Sequence, residues 1–262
     1  MVRKSFSQSM QFATAFSCFL SIVSTGGVAA ASEIKLLSAV ALRPGIEGLI
    51  ADFGKTSGNN VMVDYATVGA LTDRIQKGEA VDVAIVSGPQ IDDLQGQGKI
   101  AAGSRVDIAK VGVGVFIRKG APKPDISSAD AFKRSMLAAK AIAYPDPAGG
   151  GASGIYMAAL IDRLGIAVDM KPKTKLFPPA PPLYQSVAGS EVDIGFNQIS
   201  EILAQPSVEL LGPLPAAIQN YTLFAAGIGA GSKEALAAKA LVSYFSSPAA
   251  HEVLKSNGFE TR

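Results

Sequence analysis

EIKLLSAVALRPGIEGLIADFGKTSGNNVMVDYA, residues 33–66, decides the fold class. It opens on Glu33–Ala41, an apolar run that reads as a buried strand, and passes into a loop at Leu42–Gly45. Ile46, Leu49, Ile50 and Phe53 then recur at the i, i+3, i+4, i+7 spacing of an amphipathic helix over Ile46–Thr56. Gly58-Asn59-Asn60 stops that helix, and Val61–Ala66 resumes as a strand. The alternation continues beyond it. Gly69–Lys77 reads as a short helix closed by Gly78, and Val81–Val86 (VDVAIV) as a β-branched strand ending at Ser87-Gly88-Pro89. Strands alternating with helices predict an α/β fold with a mainly parallel sheet, whose ligands sit outside the carboxyl ends of the strands.

Two later segments break this rhythm. Val111–Arg118 and Thr222–Ala230 are long, apolar and punctuated by glycine, and each closes a strand–helix series. They predict two extended crossings between two lobes. Between them the pattern restarts at Ala141–Tyr144, Gly154–Leu164 and Val192–Asn197; after them come helices at Lys233–Phe245 and Pro248–Asn257. Lobe one is thus expected over residues 32–112 plus 226–262 and lobe two over 113–225, a single doubly wound sheet being the plainer alternative. No internal repeat is evident, and the one compositionally biased tract is Phe177–Pro182.

The remaining residues, 1–31, read as an address. Arg3 and Lys4 precede an apolar stretch from Phe12 to Val23, and Val28-Ala29-Ala30-Ala31 ends it with small residues. That is the layout of a secretory signal peptide cleaved after Ala30 or Ala31. Its apolar run falls short of the ~20 residues that span a bilayer, and no later run reaches that length, so no membrane insertion is expected after cleavage. A periplasmic protein follows. The 24 basic and 22 acidic residues become balanced once Arg3 and Lys4 are removed. No basic tract then stands out to follow a phosphate backbone, and no nucleic-acid partner is expected. The only cysteine, Cys18, leaves with the signal, so the mature chain has no disulfide framework.

With no mature cysteine and a single histidine, His251, the chain offers no set of metal ligands and no Ser-His-Asp or Cys-His arrangement. What it does offer is a series of loops, each after a predicted strand, with hydroxyls, amides or free N–H groups at a helix start. These are Ser38–Arg43, Thr67-Val68-Gly69, Ser87-Gly88, Gly149–Ser153 and Asn197-Gln198. Helix starts favour negative charge. Arg43, between a strand end and a helix start, adds a cation able to grip a carboxylate through two hydrogen bonds; the plainer reading makes it a surface arginine. Gly149–Gly154 lacks the ending of a P-loop and the spacing of a dinucleotide fingerprint, and by itself is as well explained by a tight turn.

Four runs, IKLLSAVALRPGIEGLIADF (34–53), YATVGALTDRIQKGEAVDVAIVSG (65–88), AYPDPAGGGASGIYMAALIDRLG (143–165) and YFSSPAAHEVLKSNGF (244–259), together resemble the periplasmic molybdate-binding protein family. The resemblance covers nearly the whole mature chain. It implies a type 2 solute-binding fold, two α/β lobes joined by two hinge strands, and a monomer that closes on a small anion. The family holds molybdate with a serine from each of two loops, two backbone amides and a tyrosine. The matching positions here are Ala41, Val68 and Gln198, with amides near Gly151–Ser153 and near Ala180. All three hydroxyls are missing. A buried dianion loses on the order of 1–3 kcal/mol for each absent donor, so molybdate is not the expected ligand, and Arg43 points to an organic acid.

The resemblance extends to the aconitate isomerases, which imply a proton shift between trans- and cis-aconitate with no cofactor. Substrate-binding candidates are Ser38, Ala41, Arg43, Thr67, Val68, Gly69, Ser87, Gly151, Ser153, Ala180 and Gln198. Candidates for the base are Asp146, Tyr156 and Tyr184, with Asp64 behind them; the sequence does not choose among these. Asp146, between two prolines, also reads as a turn residue, and Tyr184 as helix packing. The competing expectation is the capture subunit of an ABC importer, whose partner would be a permease. A purely structural periplasmic protein is a third class, disfavoured by the number of anion-ready loops.

Overall fold

In a computed structural model, which describes residues 1–2, 31–178 and 181–261, the chain alternates strand and helix much as its periodicity predicts. β1 (Glu33–Ala39) leads through a 3-10 turn at Val40–Leu42 into α1 (Arg43–Ser57), then β2 (Asn60–Ala66), α2 (Val68–Gln76), β3 (Val83–Ser87) and α3 (Gly88–Gly96). The helix expected from Ile46 starts at Arg43 instead, because Pro44 sits in its first turn, where its fixed φ and missing N–H cost nothing. Its predicted stripe of Ile46, Leu49, Ile50 and Phe53 is buried throughout. Residues 3–30 of the expected export signal, and Pro179-Ala180, lie outside the described residues.

β4 (Val106–Arg118) starts five residues before the expected strand and is the longest among the described residues. Then follow α4 (Ala129–Ala138), β5 (Ile142–Pro145), α5 (Ala152–Arg163), α6 (Ala167–Met170), β6 (Thr174–Phe177), α7 (Pro181–Ala188), β7 (Ile194–Gln198) and α8 (Ile199–Leu203). β8 (Val208–Pro213), β9 (Tyr221–Ile228), α9 (Ala235–Phe245) and α10 (Pro248–Ser256) complete the chain. The strand order is β2-β1-β3-β9-β4-β7-β5-β6, with β8 paired to β4. β1 runs parallel to β2 and β3, and β5 parallel to β6 and β7; β4 and β9 are antiparallel to their neighbours.

Two sets of cores divide the molecule. One set draws on residues 34–111 and 224–259, the other on residues 113–218. Within each set the central strands are covered on both faces, and successive residues alternate between them. Leu36 packs with α1, α9 and α10, while Leu37 packs with α2 and α3. Val115 faces α4 and α5, while Phe116 faces α7 and α8. Strands buried on both faces read as continuous apolar runs, and each large side chain removed from water contributes roughly 1.5–3 kcal/mol.

β4 passes from one set to the other: Val106–Gly112 pairs with β9, and Val113–Arg118 with β7 and β8. Gln219 clamps the second crossing to the first. Its Oε1 accepts from the Val113 N–H and its Nε2 donates to the Val113 carbonyl, both at 3.0 Å.

Candidate functional site

The carboxyl ends of β1, β2, β5 and β7 converge on one cavity, where the loops and helix starts that follow them meet. Ala39, Val40, Ala41, Thr67 and Val68 line it from one lobe, with Phe224 on the second crossing. Pro145, Gly151, Ala152, Ser153, Asn197, Gln198 and Glu201 line it from the other. Its volume of about 30 Å³ accommodates a water or two rather than an organic acid. A second chamber of about 380 Å³ adjoins it, sharing Val40 and Glu201 and adding Arg43, Glu47, Pro181, Tyr184 and Gln205. That chamber falls in the range of ~300–1,000 Å³ typical of ligand pockets.

The lobes touch directly beside the cavity. Thr67 caps α2, accepting from the Ala70 N–H at 3.3 Å, and the same hydroxyl donates across the cleft to the Gly149 carbonyl at 2.6 Å. Next to it the Gly69 N–H donates to the Gly150 carbonyl at 3.3 Å. A Cβ on Gly69 would lie 3.0 Å from the Gly150 Cα, and Gly150 has φ +71°, so this approach favours glycine on both sides. A third crossing joins Ser200 Oγ to the Ala41 carbonyl at 2.8 Å.

Both hydroxyl protons on the cavity wall are already spent. Thr67 gives its proton to Gly149, and Ser153 Oγ donates to Asn197 Oδ1 at 2.8 Å. Asn197, 1 % exposed, organises the rest: its Oδ1 also accepts from the Gln198 N–H, and its Nδ2 donates to the Tyr184 hydroxyl at 2.7 Å. Gln198, 2 % exposed, donates from Nε2 to Thr222 Oγ1 and leaves its Oε1 buried without a partner. An orphaned buried polar atom costs on the order of 1–3 kcal/mol. Half a turn of the amide would present its NH2 instead, with Thr222 then donating to Oε1, so Gln198 offers the cavity either a donor or an acceptor. The first amides of α5, at Ala152 and Ser153, have no carbonyl to meet within their helix, so the start of α5 favours negative charge at the same place.

Among the described residues, Glu201 is the one acid on the cavity wall. Burial pushes its carboxyl up to about 7, against a hydrogen bond from Asn197 that pulls it down. Burial likewise raises the Tyr184 phenol, reinforced by the charge of Glu201 and opposed by the Asn197 hydrogen bond. Across the chamber Arg43 lies over the Tyr65 ring at 5.4 Å and pairs with Glu47 at 3.3 Å. The Tyr65 hydroxyl is buried without a partner and is pushed up to about 12 by burial and Glu47, with Arg43 pulling it down.

Residues 34–260 match the model of the bacterial extracellular solute-binding proteins. The chain belongs to that family. It is 33% identical over 195 residues to an aconitate isomerase from a Pseudomonas species, covering 74% of this chain and 72% of that protein. It is 25% identical over 237 residues to a molybdate-binding protein of Azotobacter vinelandii, covering 88% and 91%. Among solved structures, the A. vinelandii periplasmic molybdate-binding protein superposes with a TM-score of 0.73 at 19% identity, over 87% of this chain and 99% of that one. The family fold is therefore the two-lobe, hinged α/β architecture that the sequence predicts. No helix among the described residues is long and apolar enough to cross a membrane.

Of the residues singled out from the sequence, Ala41, Thr67, Val68, Gly151, Ser153 and Gln198 line the cavity; Arg43 and Tyr184 line the adjoining chamber. Gly69 stands at the cleft contact. Ser38 is fully buried, with only a 3.5 Å approach to the Ala39 carbonyl. Ser87 lines a different hollow with Pro89, Asp92 and Arg105. Ala180 is outside the described residues.

Asp146 caps a turn, accepting from the Ala148 N–H at 2.9 Å. Tyr156 donates to the Ile218 carbonyl at 2.6 Å, beside the second crossing, and accepts from Arg163. Asp64 is paired with Arg74. Sequence reasoning passed over Glu201 and undervalued Asn197. The signal available was a polar pair, Asn197-Gln198, closing a buried strand with an acid three residues on.

Proposed function

We propose that this protein is an aconitate isomerase, a periplasmic monomer that interconverts trans- and cis-aconitate by an allylic proton shift. The observation that carries this reading is the chemistry of the cavity wall. A tetrahedral oxyanion needs several free donors, yet Thr67 and Ser153 have spent theirs, Ala41 and Val68 have none, and Glu201 is an acid. A carboxyl that titrates near neutrality is a poor neighbour for a bound dianion and a good one for a carbon acid. The 33% identity to an aconitate isomerase supports the same substrate class.

In this reading the α5 amides, Gln198 and Arg43 hold the carboxylates, with Ser38, Gly69, Ser87, Gly151 and Ala180 as further binding candidates. The lobe spans proposed are 32–112 plus 226–262, and 113–225. Opening about the crossings would admit the acid, and closure excludes water from the reacting carbon. The inner cavity takes a water or two, and the adjoining chamber of about 380 Å³ has the volume for the acid while the Thr67–Gly149 contact is made.

The second reading is a carboxylate-binding subunit of an ABC importer, favoured by the family fold and the cross-cleft contacts that close the lobes. Incubating the purified mature protein with trans-aconitate and following cis-aconitate by NMR separates the two. Turnover is expected; no turnover together with tight binding of another organic acid refutes the isomerase.

A further inference from the structure

We propose that Glu201 is the catalytic residue that carries the proton in this site, serving as base and then as acid on one face of the substrate. The assignment deepens the isomerase reading and rests on it. Its ground is position. Among the described residues, Glu201 is the only acid on the wall of the inner cavity and also lines the outer chamber, so it stands where a ligand held between the α5 amides and Arg43 must pass. The other acid of the outer chamber, Glu47, is exposed and paired with Arg43.

The carrier helix is also held in place. α8 is only five residues long, but Ser200 ties it to the Ala41 carbonyl in the opposite lobe and Ile202 is buried with Phe116 and Leu183. Glu201, between those two anchors, has its carboxyl oriented by Asn197, which Ser153 and the Gln198 N–H hold in turn. A group that must meet a C–H bond at close range needs such a supported mount. The charged and titratable groups sharing its chamber are Arg43, Glu47 and Tyr184. Because Asn197 donates to the Tyr184 hydroxyl, that hydroxyl keeps its own proton for another acceptor and can bind developing negative charge.

The step balances without any further reagent. Ionised Glu201 takes a proton from the substrate methylene, and the C–H electron pair enters the conjugated system as a dienolate spread over two carboxylates. The double bond moves by one position. Protonated Glu201 then returns its proton to the far allylic carbon, a new C–H bond forms, and the carboxylate is restored. Burial holds the group near neutrality, where both protonation states are within reach.

The test compares wild type, Glu201→Gln and Glu201→Asp in turnover of trans-aconitate, in its binding by calorimetry, and in thermal melting. Glu201→Gln should lower kcat by about 100-fold or more, with affinity unchanged or tighter because a negative charge is gone. Glu201→Asp should keep measurable activity. The kcat of wild type should fall as pH drops through the Glu201 titration, between about pH 8.5 and 5.5. This measurement does not depend on how any variant folds, and a flat wild-type profile overturns the assignment. Active wild type with a Glu201→Gln variant within a few-fold of it overturns the role of Glu201 alone. A wild type that binds but never converts trans-aconitate overturns the isomerase reading and the catalytic assignment with it.

Discussion

Thr67 places one hydroxyl in two roles, and Thr67→Val removes both without changing the volume of the side chain. The Ala70 N–H loses its cap, worth about 1 kcal/mol, and the Gly149 carbonyl loses a 2.6 Å bond worth roughly 0.5–1.5 kcal/mol. Thr67 is only 9 % exposed, so water replaces neither partner freely. The sum is about 1.5–2.5 kcal/mol, and at ~2–4 °C per kcal/mol for a domain of this size Tm should drop by roughly 3–10 °C.

Only the cross-cleft share bears on closure, so affinity for trans-aconitate should fall about 2- to 13-fold. Thr67→Ser, which keeps the hydroxyl, should stay near wild type in both measurements. The chain has no tryptophan, so melting is best followed by circular dichroism, and affinity by calorimetry. If the serine and valine variants melt and bind alike, the hydroxyl is not the latch and the argument fails.

Arg43→Ala should leave stability within about 0.5 kcal/mol, since its pairing with Glu47 is exposed. It should weaken trans-aconitate binding at least about tenfold through the lost charge-assisted contact, and unchanged affinity in a titration removes Arg43 from the site. Gly154→Ala should lower the urea midpoint, by about 1–3 kcal/mol in stability or more, because its Cβ would lie 2.0 Å from the Pro145 carbonyl oxygen. An unshifted midpoint would mean that the start of α5 is free to move.

Glu79 is held down to about 2 by hydrogen bonds from Arg74 and Lys35. Its folded value lies below the unfolded value of about 4.3, so its stabilisation is present above that value and is lost as pH falls toward about 2. The Tm difference between wild type and Glu79→Gln should therefore shrink over that window, and a constant difference counts against the pairing.

Local periodicity was a good guide wherever burial repeats within a turn or two. The stripe Ile46, Leu49, Ile50 and Phe53 could only be a helix against a core, and it is. The loops at Thr67, Gly151 and Gln198 were legible as anion-ready because each follows a strand, and in a parallel sheet the carboxyl ends of the strands converge. Tyr156 and Asp146 looked like chemistry, yet their polar atoms serve a hinge-side carbonyl and a turn. Nothing in a linear pattern separates a tyrosine aimed at a backbone carbonyl from one aimed at a ligand.

Residue type and short-range spacing were enough for the α/β class, the two crossings and the loops that ring the cleft. That Ala41, Val68 and Gln198 stand where the molybdate binders carry hydroxyls came from the resemblance. Tertiary structure alone decided which hydroxyl protons remain free, how Gln219 clamps the crossings, and that an acid on a five-residue helix stands at the cavity. Ser200 and Ala41, whose bond ties that helix across the cleft, are 159 residues apart. Burial and hydrogen-bond partnership at that separation are products of the whole fold, and the protonation of Glu201 depends on both.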